Sequence, residues 1–204
     1  MNSQKPISYT NEYMEEVKTI AEKVDHAAVE KMVDIIIGIR KNNGRLFFLG
    51  VGGGAGNATH AVNDFRKIAG IESYSPCDNV SELTARINDD GWESAFVQWL
   101  KGSKLGKKDG VFILSVGGGN PEKNVSTNLV KAMEYAQEVG AKILGIVGRD
   151  GGYTGKVADG CLIVPIVNDS TITPHTESFQ SVIWHLIVSH PRMRLFEMKW
   201  ESIK

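Results

Sequence analysis

The sequence predicts an α/β protein, a three-layer doubly wound fold with a mostly parallel central sheet, preceded by N-terminal helices. Three observations predict it. Four apolar runs of strand length, Leu46–Val51, Val111–Val116, Lys142–Val147 and Gly160–Ile166, are nearly continuous rather than alternating, as in strands buried on both faces. Segments with helical spacing separate them, the alternation that builds parallel sheets from crossovers. Two of the runs end in glycine loops, Gly50–Gly56 and Gly117–Gly119, and each loop opens a helical pattern.

From Asn11 to Asn42 apolar residues recur at three and four, through Met14, Val17, Ile20 and Val24 and then Val29, Met32, Val33, Ile36 and Ile37. This predicts two amphipathic helices, with Asp25 capping the second and Asn42-Asn43-Gly44 stopping it. Helices ahead of the first strand are not crossovers, so their apolar faces must cover a sheet edge or another subunit. For the first we expect a subunit interface. A helix is expected over about Ala55–Ile68, then a short extended piece, Ile71–Tyr74, and a turn at Pro76. Ser81–Ile87 reads as a helix, Asn88–Gly91 as a polar break, Trp92–Leu100 as another helix and Lys101–Gly110 as a charged loop. The helix after the second glycine loop is expected over about Glu122–Val139, with Pro121 in its first turn. After the turn at Gly148–Gly152 and the last strand, a long helix from Pro174 to about Ser189 carries Glu177, Gln180 and His185 and stops before Pro191. The Arg192–Lys204 tail gives no clear signal.

With 204 residues, 42% hydrophobic and 23% charged, the chain suits one domain with one sizeable core. A net charge of −1 and scattered basic residues offer no general attraction to nucleic acid or anionic lipid and point to small or neutral partners. Cys77 and Cys161 lack metal-type spacing and read as reduced thiols. Met1–Tyr9 lacks the apolar core of a signal peptide, and no run reaches a membrane span of about 20 residues. A cytoplasmic protein is expected.

Glycine loops after strands can turn backbone N–H groups toward an anion at a helix N-terminus. Gly52, Gly54 and Asn57 do not make a dinucleotide fingerprint, and no lysine completes a P-loop; the plain alternative is that these glycines only turn tightly. His60 and Asp64 stand at i and i+4, where both reach one metal ion, or the carboxylate orients the imidazole, or the two make a surface contact. Glu177 and His185 are eight residues apart, about 12 Å along a helix. They meet at one ion only if Glu177 lies in an irregular lead-in or the site is shared between subunits. His185 alone reads equally as a core histidine. His26, His175 and His190 have no assignable role.

Taken together, the motifs resemble the SIS (sugar isomerase) domain family, and within it the phosphoheptose isomerase group, from about residue 10 to 190. The group's G-N-G-G-S and H-x-x-x-E appear as Gly50-Val51-Gly52-Gly53-Gly54 and His60-Ala61-Val62-Asn63-Asp64. Its L-x-A-x-x-N-D-x-G matches Leu83–Gly91, its S-T-S-G-N-S aligns with Ser115-Val116-Gly117-Gly118-Gly119-Asn120, and its G-[RK]-x-G-G matches Gly148–Gly152. Its T-P-x-x-Q, with a histidine eight residues beyond, matches Thr173–Glu177 and His185.

The resemblance implies a cytoplasmic homotetramer with sites at subunit interfaces. Its reaction would convert sedoheptulose 7-phosphate to D-glycero-D-manno-heptose 7-phosphate through an enediol, for surface glycans such as lipopolysaccharide or capsule. It implies Asp64 as base and His185 as acid, and His60, Asp64, Glu177 and His185 as ligands of Zn²⁺. Gly52, Gly53, Gly54, Asn88, Asp89, Ser115, Gly117, Gly118, Gly119, Asn120 and Glu177 would line the substrate. Residues 1–42 would serve oligomerisation within a single SIS domain spanning 1–204. The chain departs from the pattern where Asp64 replaces Glu and Glu177 replaces Gln. Gly54 and Gly117 replace serines, Val116 a threonine and Asn120 a serine. The lost hydroxyls open two alternatives, a different sugar for an SIS isomerase or lyase, and a non-catalytic SIS protein that binds a sugar phosphate or a protein.

Overall fold

The computed structural model describes residues 8–198. Its helices are α1 (Tyr9–Lys23), α2 (His26–Lys41), α3 (Gly53–Lys67), α4 (Val80–Asp90), α5 (Ala95–Gly102), α6 (Thr127–Glu138), α7 (Gly152–Val157) and α8 (Ile172–Ser189). Its strands are β1 (Leu46–Gly50), β2 (Ser73–Tyr74), β3 (Gly110–Ser115), β4 (Lys142–Val147) and β5 (Gly160–Ile163). All pairings are parallel, in the order β2-β1-β3-β4-β5, with Phe48 beside Phe112 and Phe112 beside Leu144. The winding reverses between β1 and β3. Doubly wound sheets bind ligands beyond the carboxyl ends of the strands at such a reversal, and both glycine loops emerge there.

Each face of the sheet has its own core. Alternate side chains point to opposite faces, so Phe48, Phe112 and Leu144 meet Met32, Ile36, Phe65, Trp184 and Ile187 from α2, α3 and α8. On the other face Phe47, Leu49, Val111 and Ile113 meet Phe96, Leu100, Leu129 and Met133 from α5 and α6. Phe48 lies 5.0 Å from both Phe65 and Phe112, centroid to centroid. The apolar face of α2 covers the sheet at β5 and touches α8, so of the two positions open to it, α2 takes the sheet edge. In α1 only Ile20 is fully buried.

Several boundaries differ from the sequence reading. Asn88, Asp89 and Asp90 do not break the chain but form the last turn of α4, which ends at Gly91 with φ +81°. Arg86 holds that turn by pairing with Glu82 and Asp90, one turn to either side. The helix expected from Glu122 begins at Thr127, because Asn120 and Val125 bond to each other through their backbones and close Pro121–Asn124 into a turn. A short helix, α7, starts at Gly152, the last residue of the expected turn, and fills the stretch between that turn and the last strand, for which the sequence gives no element. β5 stops at Ile163 rather than Ile166, and α5 starts at Ala95 rather than Trp92. Beyond α8 the chain turns at Pro191, and the Leu195 and Phe196 N–H groups bond to the Ile68 carbonyl. Residues 1–7 and 199–204, which include most of the N-terminal stretch and the end of the tail, lie outside the described residues.

α1 is tied down by a polar cluster. The Glu16 carboxylate accepts from Asn168 Nδ2 at 2.6 Å, Thr171 Oγ1 at 2.8 Å and His175 Nε2 at 2.7 Å, and Tyr13 covers the His175 ring at 4.3 Å. These bonds, that of Asn168 first, hold the Glu16 carboxyl below its ordinary value. A carboxylate with a depressed folded-state pKa adds stability that is present above its unfolded value and lost as pH falls through the folded one. Glu16→Gln should therefore lower the melting temperature at neutral pH. The difference from wild type should shrink as pH drops below about 4.5, the unperturbed value. A pH series of thermal melts on both proteins checks this.

Candidate active site and metal centre

β1 ends at Gly50, and the chain turns through Gly52, at φ +59°, into α3. The turn folds tightly on the sheet, since a Cβ on Gly54 would stand 2.3 Å from the Leu114 carbonyl oxygen at the end of β3. No side chain fits there, which gives Gly54 a packing reason of its own. The second loop is equally close-fitting. Gly118 has φ +67°, and a Cβ on it would be 2.0 Å from the Gly151 oxygen. Its carbonyl accepts from the Thr154 N–H and hydroxyl, and the Gly119 carbonyl accepts from the Tyr153 N–H. Thus α7 uses its first-turn donors to fix the loop, while Ser115 Oγ accepts from the Gly118 N–H at 3.1 Å.

Farther along α3, His60 and Asp64 share one face and meet α8. Asp64 Oδ2 is 3.8 Å from His60 Nε2 and 3.7 Å from His185 Nε2. The Asp64 side chain is only 2% exposed, whereas those of His60 and His185 are 57% and 38% exposed. The carboxylate is a floor and the imidazoles form a rim. Asn63 Nδ2 donates to Asp64 Oδ1 at 2.8 Å, while Oδ2, also buried, has no donor. Such an atom costs free energy unless a proton, a cation or a ligand completes it. His185 Nδ1 lies 2.8 Å from the Ser181 carbonyl, so that nitrogen is the donor and Nε2 faces Asp64. Trp184 stacks beside His185 at 3.5 Å and meets the His60 ring edge at 4.7 Å, fixing both.

One nitrogen from each histidine and one Asp64 oxygen lie within 4.8 Å of one another. Ligand atoms around a tetrahedral zinc stand ~3.3 Å apart, given bonds of about 2.0 Å, so small rotations would suffice. The set, two imidazoles and a carboxylate with an unsatisfied oxygen, fits a divalent metal with an open position.

A model of the SIS domain matches residues 9–148. The chain belongs to the SIS domain family. The phosphoheptose isomerase of Helicobacter pylori (strain P12) is 31% identical over 164 residues, 78% of this chain and 80% of that protein. That of Aneurinibacillus thermoaerophilus is 29% identical over 181 residues, 86% of each. The solved phosphoheptose isomerase of Francisella tularensis shares the fold with a TM-score of 0.77 at 19% identity, over 91% of this chain and 97% of that one.

Within this SIS chain the remaining candidate residues are dispersed. Glu177 lies within the regular part of α8, not in an irregular lead-in, and its carboxylate rests on Gly53. A Cβ there would be 2.4 Å from it. Glu177 is therefore apart from the three residues that converge within the chain. Asn88 and Asp89 are exposed on the last turn of α4, bonded to each other. Gly117 and Asn120 border a separate cleft with Gly152, whereas a Cβ on Gly119 would meet Val130 of α6 at 2.9 Å. Asn57 escaped the sequence reading as more than a loop residue. Its Nδ2 donates to the Glu177 carbonyl at 2.9 Å and to Gln180 Oε1 at 3.0 Å, and Gln180 Nε2 donates to the Ile146 carbonyl. This chain of bonds locks α3 to α8 and α8 to β4; an amide directly after the Gly50–Gly56 loop was its only signal. Asn57→Ala leaves buried Gln180 with an unmet acceptor and should destabilise the fold by about 1–3 kcal/mol in urea unfolding.

Proposed function

We infer that the chain is an aldose–ketose isomerase that interconverts sedoheptulose 7-phosphate and D-glycero-D-manno-heptose 7-phosphate through an enediol. The observation that carries this is the meeting of His60, Asp64 and His185 around a buried carboxylate oxygen without a donor, in an SIS chain 31% identical to a phosphoheptose isomerase.

Isomerisation requires removal of a proton from the carbon beside the ketone and protonation of the carbonyl oxygen. Asp64 Oδ2, with no donor occupying it, takes the first role. His185, aimed by the bond from Nδ1 to the Ser181 carbonyl, takes the second in its imidazolium form, giving the proton on Nε2 to the carbonyl oxygen. The proton that Asp64 removes returns to the neighbouring carbon as the enediol collapses, while the hydroxyl proton of the first carbon passes to His185 Nε2 and restores the imidazolium. His60, Asp64 and His185 would hold Zn²⁺, which when bound supplies Lewis-acid polarisation of the substrate oxygens. One Nε2 cannot hold a metal and a proton together, so the acid role of His185 belongs to the form without a metal on that nitrogen. Glu177, about 12 Å from His185 along α8, would join such a site only in another copy.

Assembly of copies has support in exposed apolar residues. Val182 and Leu186 flank His185 on α8, and Tyr9 and Met14 stand out from α1. A tetramer that closes the open rim over Asp64 is the form we infer, with residues 1–42 taking part and the whole chain acting as one SIS domain. Cys77 and Cys161 are free thiols, and no described helix is long and apolar enough to cross a membrane; we place the enzyme in the cytoplasm.

Incubated with sedoheptulose 7-phosphate in D₂O, the wild type should introduce deuterium at the first carbon. Asp64→Asn should slow this by at least about 100-fold. Absence of exchange with or without Zn²⁺ would overturn the isomerase reading. Separately, calorimetric titration with Zn²⁺ should show binding that weakens by more than about tenfold in Asp64→Asn. Equal affinity in the variant would remove Asp64 from the metal site.

A further inference from the structure

The Trp184 side chain of α8 is fully buried in the core, yet among the described residues no group accepts from its indole Nε1. A buried indole N–H normally finds an acceptor, because leaving it without one costs free energy. Leucine or phenylalanine would be buried there without that cost. Packing alone therefore does not account for an indole at this position, and its remaining contacts are with the site.

Both imidazoles of the site touch it. Trp184 and His185 stack, with centroids 3.5 Å apart and planes at 27°, and the His60 ring stands 4.7 Å away at 70°. The two imidazoles are 5.3 Å apart and nearly perpendicular, at 84°. Successive residues of a helix point about 100° apart, so helix geometry does not itself bring Trp184 and His185 face to face. Both rings lean toward α3, and there they meet His60.

The histidines differ in what else holds them. His185 Nδ1 donates to the Ser181 carbonyl at 2.8 Å, the usual way a metal-binding imidazole is aimed from behind. His60 lacks this support. Among the described residues neither of its nitrogens makes a hydrogen bond, its Nε2 is 3.8 Å from Asp64 Oδ2, and its side chain is 57% exposed. Holding an exposed side chain in one orientation costs entropy. The buried indole is a fixed wall that limits where the His60 ring can turn.

We propose that Trp184 is the positioning residue of the His60–Asp64–His185 centre. One indole sets the separation and tilt of both imidazoles and takes the place of the missing hydrogen bond behind His60. Being fully buried, it acts through the histidines and touches no reacting atom itself. Its consequence for metal binding rests on the metal reading of these three residues; the ordering of the rings does not.

Full-length Trp184→Leu and Trp184→Phe test this, since both remove the indole N–H and shrink the side chain but only the second keeps an aromatic face. Thermal melts verify that both fold. In calorimetric titration with Zn²⁺, Trp184→Leu should weaken binding about tenfold or more, the usual effect of removing a support behind a metal ligand. Trp184→Phe should recover most of that loss. His60→Ala should weaken binding in the wild type and change it little in Trp184→Leu, where His60 is already out of place. Unchanged affinity in Trp184→Leu, equal losses in the two Trp184 variants, or a His60→Ala effect of the same size in both backgrounds overturns the proposal. NMR relaxation of the imidazole C–H groups in the metal-free protein should show the His60 ring ordered in the wild type and Trp184→Phe and mobile in Trp184→Leu. Equal order in all three also overturns it. If the wild type binds no Zn²⁺, the metal reading falls, and the relaxation series alone decides whether Trp184 holds the rings.

Discussion

The first turn of α3 passes so close to the end of β3 that a Cβ at position 54 would stand 2.3 Å from the Leu114 carbonyl oxygen, and one at position 50 would stand equally near the Gly54 carbonyl. This close approach sets the depth at which α3 lies on the sheet, with Ala58, Ala61 and Phe65 buried against it. It also sets which residues of α3 face α8. Asn57 meets Gln180 one turn into the helix, and Asp64 meets His185 two turns later. A serine at position 54 would lift the helix, and the buried carboxylate would lose its place beneath the two imidazoles. The glycine that replaces the hydroxyl of the family pattern is thus a packing residue.

That geometry separates two negative charges. Asp64 lies two to three turns down α3 under the histidines, and Glu177 lies over the helix start on Gly53. Each is stabilised by something different. Glu177 has the positive end of α3, and Asp64 has an amide on one oxygen and two imidazoles near the other. Two positive side chains without a partner among the described residues, Lys123 and Arg149, lie elsewhere, across the second loop. An anionic sugar would approach a surface on which one loop carries a carboxylate and the other faces two cations, so its orientation is constrained by charge before any hydroxyl is contacted.

Much of the fold was legible because buried parallel strands announce themselves as apolar runs; β4 coincides with its run, and β1 and β3 lie within a residue of theirs. The errors share a physical cause, local signals with two meanings. Pro121 serves a helix start or a loop equally, and the backbone pairing of Asn120 with Val125, invisible in composition, decides for the loop. Asn88-Asp89-Asp90 has the makeup of a turn, but Arg86 pairs along the helix and carries it to Gly91. At the site, His60 and Asp64 could be paired from spacing alone. Bringing in His185 took the packing of α3 on α8, which single-chain periodicity does not encode and only the family resemblance suggested. His175 had no visible role because its partner, Glu16, lies 159 residues away.

The exchange of Glu for Asp at position 64 has a consequence for where the chemistry happens. A carboxylate one methylene shorter stays at the floor of the site, 2% exposed, with its donor-free oxygen facing the gap between two partly exposed rings. A longer side chain would fill that gap. The space it leaves must be taken by something carrying positive charge or a hydrogen-bond donor, because a desolvated oxygen lone pair is costly to leave bare. A metal ion or a substrate hydroxyl can supply this, and either is drawn inward, below the histidine rim. With α8 turning Val182 and Leu186 outward on either side of His185, a second copy laid across that rim would exclude water from the same space. Depth in one chain and closure by another are then two parts of a single requirement, that an enediol be formed away from bulk solvent.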